Sequence, residues 1–203
     1  MSKKIKWIIF TFLLFCTSTL QSENSIINWE PLNRNEVVIK EVETSSGIPG
    51  VRVLFVVEAS RDVIWSTLVD YDNFKKFFHG IDDIKVLEQD EKGAFVEFWI
   101  DAVIMNFHYT LYRNYIKPLY HLSWQRVRGD LKIIQGSWKI LDMSDKKKKL
   151  LIYESYVDIG FAPITWGIRQ GAKSKALEMG YRLRKWIEKK QQIKALKEKK
   201  IIL

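Results

Sequence analysis

Between Ile81 and Ile159, six segments with two-residue periodicity follow one another, and a long proline-free helical stretch comes after them. The segments are Ile81–Leu87, Ala94–Asp101, Met105–Asn114, Leu119–Val127, Leu131–Leu141 and Leu150–Ile159. Turn signals such as Asp90-Glu91-Lys92-Gly93, Lys117-Pro118 and Gly129-Asp130 separate them. Connectors this short force antiparallel neighbours, because parallel strands need long crossovers. Upstream, the alternation of Val51, Val53, Phe55 and Val57 predicts a first strand, and Ser60 is an N-cap before a short helix. Asp70-Tyr71-Asp72 breaks that helix, and Asn73 to Phe78 starts a second one that Gly80 ends. Pro163 opens a helix from about Ile164 to Lys190. The order implies an α+β domain: a curved antiparallel sheet of about seven strands wrapped around one long C-terminal helix, with two short helices after the first strand.

In this order and spacing the chain resembles the START-like, or SRPBCC, helix-grip superfamily, and within it the polyketide cyclase/dehydrase and coenzyme Q-binding group. Glu58-Ala59-Ser60-Arg61-Asp62-Val63-Ile64-Trp65 running into Asp70-Tyr71-Asp72-Asn73-Phe74 carries part of the likeness. Gly129-Asp130-Leu131 leading to Gly136-Ser137-Trp138, and Asp158-Ile159-Gly160-Phe161 before the long helix, carry the rest. The resemblance implies a deep cavity between sheet and helix that takes lipids, sterols, quinones, polyketides or other apolar ligands. It implies no single chemistry, because fold and function are separable.

Alternation selects the residues that face such a cavity. Glu97 and Asp101 share a face with Trp99, so Val96, Phe98 and Ile100 point inward. Met105, Phe107, Tyr109 and Leu111 face in, while Asn106, His108 and Thr110 face water. By the same test Tyr120, Leu122 and Trp124 face in, as do Ile134, Trp138 and Ile140, and Leu151, Tyr153, Ser155 and Val157. This inward face is aromatic with sparse hydroxyls, as small-molecule sites usually are, although the same residues would also suit a solid core. Ile168, Ala172 and Ala176 are small or medium residues on the first half of the helix, beside Gly167 and Gly171. Glycine weakens a helix, so its recurrence signals either room for a ligand or close helix–sheet packing. The candidate ligand-binding set is Phe98, Phe107, Tyr109, Leu111, Trp124, Trp138, Tyr153, Ser155, Ile168, Ala172 and Ala176. Arg126 falls on inward parity near a strand end, either as a polar anchor for a ligand or as a residue that reaches out from the rim or pairs with an acid such as Glu154.

No catalytic constellation emerges. His79 follows a helix and His108 and His121 lie on outer faces, so no metal site is expected. There is neither a phosphate-cradling glycine loop nor a Gly-x-Ser-x-Gly elbow, and no cofactor is expected.

The N-terminus reads as an export signal. Lys3, Lys4 and Lys6 precede a run of 10 mostly large apolar residues from Trp7 to Cys16. That is short of the ~20 needed to span a bilayer and fits a signal-peptide core. Cleavage near Ser22 is expected; an uncleaved anchor and a lipid-modified Cys16 are the alternatives. Cys16 is the only cysteine, so the chain after residue 22 has neither disulfide nor thiol. The expected organisation is signal peptide 1–22, leader 23–50 with one short strand at Glu36 to Val42, helix-grip domain 51–190 and basic helical tail 191–203.

Charge is unevenly spread. The whole chain carries +9, of which residues 1–22 hold +3 and Arg182 to Lys200 hold +7, leaving the body near neutral. A nucleic-acid-binding body would spread positive charge over a face, so the distribution argues against that class and no nucleic-acid partner is expected. The basic tail suits peripheral contact with anionic membrane, or is a solvated helix end. The reading is an exported binding protein, periplasmic or secreted, free or membrane-associated, that holds a lipid, isoprenoid, quinone or sterol-like molecule. The alternatives are a cyclase or aromatase-type enzyme, using Tyr109, Tyr153 or Arg126 to polarise a carbonyl, and an envelope interaction protein without a ligand.

Overall fold

The computed structural model describes residues 27–101, 106–160 and 166–202. Its elements are α1 Trp29–Asn33, β1 Val38–Glu43, β2 Pro49–Glu58, α2 Arg61–Leu68, a 3-10 segment Tyr71–Lys76, and then β3 Ile81–Gln89 and β4 Gly93–Asp101. After these come β5 Asn106–Ile116, β6 His121–Gly129, β7 Ile133–Asp142, β8 Lys148–Asp158 and α3 Trp166–Ile202. The expected signal peptide at 1–22 and the helix start at Pro163 and Ile164 lie outside the described residues.

All neighbours are antiparallel, in the order β1-β2-β8-β7-β6-β5-β4-β3. β3 to β8 follow chain order because their connectors are tight. In one of them Asp90 Oδ1 accepts from the amides of Lys92 and Gly93, which closes the β3–β4 turn. The single long crossover carries the chain from β2 through α2 and the 3-10 segment to the far edge at β3. The sheet has eight strands rather than about seven. The extra one is β1, in the stretch read as a leader, which pairs Val38 to Glu43 against Leu54 to Pro49. The same stretch forms α1, whose Leu32 caps a small outer cluster with Leu54, Val56 and Leu150.

The two sheet edges differ. β3 is mostly exposed and its pairing with β4 slips between Ile81 and Asp83 and again between Val86 and Glu88.

α3 packs unevenly across the inner face. Its middle buries Met179, Leu183 and Ile187 against β2 and α2, each worth about 1.5–3 kcal/mol. Gly180 permits this approach: a Cβ there would stand 2.7 Å from Val37 Cγ1 and 3.3 Å from Val53 Cγ1. The helix also fastens the β2–α2 corner, where Gln191 Oε1 accepts from the Ser60 amide at 2.9 Å. Ser60 in turn caps α2 by accepting from the Val63 amide. Lys190 ends the grip with an ion pair to Asp70 at 2.5 Å. The stretch of α3 around Gly171 packs differently: Gly171 has nothing within 4 Å of where a Cβ would be, and Ala172 is exposed.

Candidate ligand-binding cavity

Among the described residues α3 packs chiefly on β2 and β1, and the inner face of β4 to β8 has a different cover. The 3-10 segment and the turn after it supply that cover, with Phe74 and Phe78 laid over the sheet and His79 and Ile81 at the side. Between them is a cavity of about 170 Å³. Its floor comes from Phe98 and Ile100 of β4, Tyr109, Leu111 and Arg113 of β5, Trp124 of β6, Ile134 and Trp138 of β7, and Tyr153 and Ser155 of β8.

Strand register builds this floor in rows. One row crosses the sheet through Ala94, Arg113, Trp124, Gly136 and Ser155. The next runs through Leu122, Trp138 and Tyr153. Gly136 leaves the space in which the Trp124 indole lies, and that indole stacks on Tyr153 at 5.5 Å between ring centroids. Tyr153 also leans on Trp138 at 4.7 Å, which meets Phe55 edge-on at 6.2 Å. Phe98 stacks on its register partner Tyr109 at 5.7 Å. Offset stacks and edge contacts are the arrangements ring quadrupoles prefer, so the wall is rigid as well as apolar.

The polar atoms in this wall are few. Burial pushes the Tyr109 phenol far above its ordinary range, and the neighbouring Tyr153 adds to the effect. Tyr153 is raised by burial too, against its hydrogen bond with Ser155 and the nearby charge of Arg113. Both phenols are therefore neutral hydrogen-bond donors. Arg113 is only 3% exposed. Its Nη2 donates to the Leu68 carbonyl at 3.3 Å, and its guanidinium lies over the rings of Tyr71, Phe74 and Trp124 at 5.0, 5.0 and 5.8 Å. Its Nε has no hydrogen-bond partner. At the mouth, His79 Nδ1 is 3.1 Å from Glu178 Oε1, which also accepts from Arg182 Nε.

Of the residues the sequence selects, Phe98, Tyr109, Leu111, Trp124, Trp138, Tyr153 and Ser155 come together in the lining. Phe107 packs against the core near the start of β5, beside Ile100, and stands outside the lining. Ala172 is exposed, Ala176 packs half-buried against the core, and the side chain of Ile168 lies outside the described residues. Arg126 stands outside the cavity lining and reaches out from the rim, without pairing with Glu154. β6 pairs with β7 only as far as Gln125, so Arg126 sits beyond the covered sheet. There it is exposed and donates to the Gly129 carbonyl at 2.9 Å. Glu154 pairs instead with Arg52.

Arg113, Phe74 and Phe78 are lining residues that the sequence selection missed. Arg113 continues the parity of Phe107, Tyr109 and Leu111 by one more step, and that step was the available signal. Thr110 and Glu97, expected in water, are buried on the outer face. Arg128 and His108 fold over them, with Arg128 Nε on Thr110 Oγ1 at 3.1 Å and His108 Nε2 on Glu97 Oε1 at 3.0 Å. Among the described residues no cluster of three or more His, Cys, Asp or Glu stands close enough to hold a metal ion.

An open antiparallel sheet gripped by a long C-terminal helix over an apolar cavity defines a START-like helix-grip protein. The chain belongs to the polyketide cyclase / dehydrase and lipid transport family, which it matches over residues 57–184. The fold is similar to that of a STAR-related lipid transfer protein fragment from Xanthomonas axonopodis, at 13% identity and a TM-score of 0.61 over 74% of this chain and 93% of that one. It is also similar to a START superfamily protein from Mycobacterium smegmatis, at 14% identity and TM-score 0.57 over 75% and 97% of the chains. A third likeness is to the ZhuI aromatase/cyclase from Streptomyces sp. R1128, at 13% identity and TM-score 0.51 over 78% and 94%. No curated protein matches the chain.

Proposed function

We propose that this protein binds an apolar small molecule in the β4–β8 cavity and carries it outside the cytoplasm. The observation that carries the reading is the cavity itself: a rigid aromatic wall with a few convergent donors, as small-molecule sites are built. A comparable cavity of ~150 Å³ takes one benzene ring, so the cavity in this form suits a single ring or a short chain. Larger lipids require the Phe74–Phe78 cover to move. The family's description, which includes lipid transport, and the similarity to a lipid transfer fragment support the same reading. The positive start and apolar run of residues 1–22 support export.

A carrier meets membranes to load and unload. Beyond Gln191, α3 presents Ile193 and Leu196, both exposed, among Lys189, Lys194, Lys197, Lys199 and Lys200. This end suits peripheral contact with an anionic lipid surface. A cyclase-type reaction would use donors such as Tyr109 and Tyr153 to polarise a carbonyl, and the same donors serve a bound ligand without any reaction. Binding is the activity that the cavity by itself supports.

The test is organic extraction of protein purified from its native host, with mass spectrometry of the extract and calorimetric titration of the emptied protein with short-chain and single-ring apolar probes. One bound apolar compound at near-stoichiometric yield is expected. An empty extract together with no heat from any probe would leave an interaction protein without a ligand as the reading.

A further inference from the structure

We infer that the ligand of this cavity carries an acid group, a carboxylate or a comparable oxyanion, and that Arg113 is the residue that receives it. The inference rests on the cavity being a ligand site and adds the chemical class of what enters. Its basis is one buried cation. Among the described residues no carboxylate pairs with Arg113, and the cavity lining contains no Asp or Glu.

A buried charge without a counter-charge is costly, and a buried donor without an acceptor adds to that cost. Two features reduce it. The Leu68 carbonyl at the end of α2 supplies a partial negative charge, and the faces of Tyr71, Phe74 and Trp124 surround the guanidinium. These contacts hold the side chain in one place. They leave the buried Nε without a partner and the charge without a carboxylate beside it. Arg113 lines the cavity, and a guanidinium presents its N–H groups in a fixed fork that matches a carboxylate, so an oxyanion there would supply the missing counter-charge. The neutral donor of Ser155 lies on the same row and that of Tyr153 on the adjoining one. With about 170 Å³ of space and aromatic walls, the remainder of the ligand is a short alkyl chain or a ring.

The experiment compares two probes of the same length, octanoate and 1-octanol, by calorimetry at neutral pH with the full chain. Octanoate is expected to bind about 10-fold or more tighter, the factor one charge-assisted hydrogen bond supplies. In Arg113→Met the preference should vanish while octanol binding stays within about two-fold, and the variant should melt no lower than the parent because a buried charge is gone. Arg113→Lys keeps the charge but loses the fork, and is expected to retain a reduced preference. Equal binding of both probes to the parent protein would overturn the acid assignment and leave the apolar cavity standing. A preference that survives in Arg113→Met would assign the acid to another residue. Binding of neither probe would remove the cavity reading, and this inference with it.

Discussion

Gly136 of β7 lies flat against the Trp124 indole of β6, its register partner, with no space for a Cβ between them. The absent side chain is what allows the ring to lie down over the sheet and form the cavity floor. Gly136→Ala should therefore lower stability by about 1–3 kcal/mol, the usual cost of overpacking, and weaken binding of any cavity probe. Gly171→Ala is the matched control. It adds the same methyl to an open helical position and should raise stability by about 0.5–1 kcal/mol. Chemical denaturation of the two variants beside the parent checks both signs.

Trp138 is 1% exposed, and serves as core and cavity wall together. Trp138→Ala should cost about 3–5 kcal/mol and abolish probe binding in whatever fraction stays folded. A melting curve alongside a titration separates the two effects. An unchanged melting temperature would mean that the wall is not packed as the Phe55 and Tyr153 contacts describe.

Asp70 and Lys190 supply an acid-sensitive tie between the start of the 3-10 segment and α3. Burial alone would raise the Asp70 carboxyl, but hydrogen bonds from Lys190 and Asn73 and the charges of Lys190 and Lys76 outweigh it and hold the carboxyl below its ordinary value. A carboxylate lowered in the folded state contributes stability that is complete above its unfolded pKa of about 3.9. The contribution fades as pH falls through the lower, folded value. Asp70→Asn should thus cost about 1 kcal/mol at neutral pH, with the difference from the parent closing in acid below about pH 4. Denaturation at a series of pH values reads this directly.

The fold was more legible in the sequence than the site, and the reasons are local. Strands such as β5 alternate so regularly at Tyr109 and Leu111 that parity alone orients them. The 3-10 segment has no such period, so Phe74 and Phe78 gave no sign of lying over the sheet. Gly180 and Gly171 look alike in a helical pattern, yet one is pressed on Val37 and Val53 and the other meets nothing. Only the tertiary path of α3 distinguishes them. Arg126 and Arg113 differ in a similar way: both have inward parity, but β7 reaches one row and stops short of the other.

The far end of α3 gives a prediction about surfaces. Lys190 is committed to Asp70, so the cleaner change is Lys189, Lys194 and Lys197 to Gln together. The parent protein should sediment with vesicles containing phosphatidylglycerol and not with neutral ones, and the triple variant should lose most of that binding. Added salt should weaken it as well, since exposed charges are screened over about 10 Å at 0.1 M. Equal sedimentation of parent and variant would detach the tail from the membrane.

Export has its own check, by intact mass. Protein recovered from the native host should begin near Ser22, and a chain still starting at Met1 in the cytoplasmic fraction would contradict it.

The two slips in β3 bear on how such a sheet survives at high concentration. An open sheet exposes a row of unpaired amides and carbonyls at its rim, on which another chain can add a strand. At this rim the spacing of those groups is broken twice, and Asp82, Asp83, Lys85 and Glu88 stand exposed along it around Val86 and Leu87. A straight incoming strand meets donors and acceptors out of step and charges it must desolvate. Only removal of both slips together with the charges beside them would leave this rim open to strand addition.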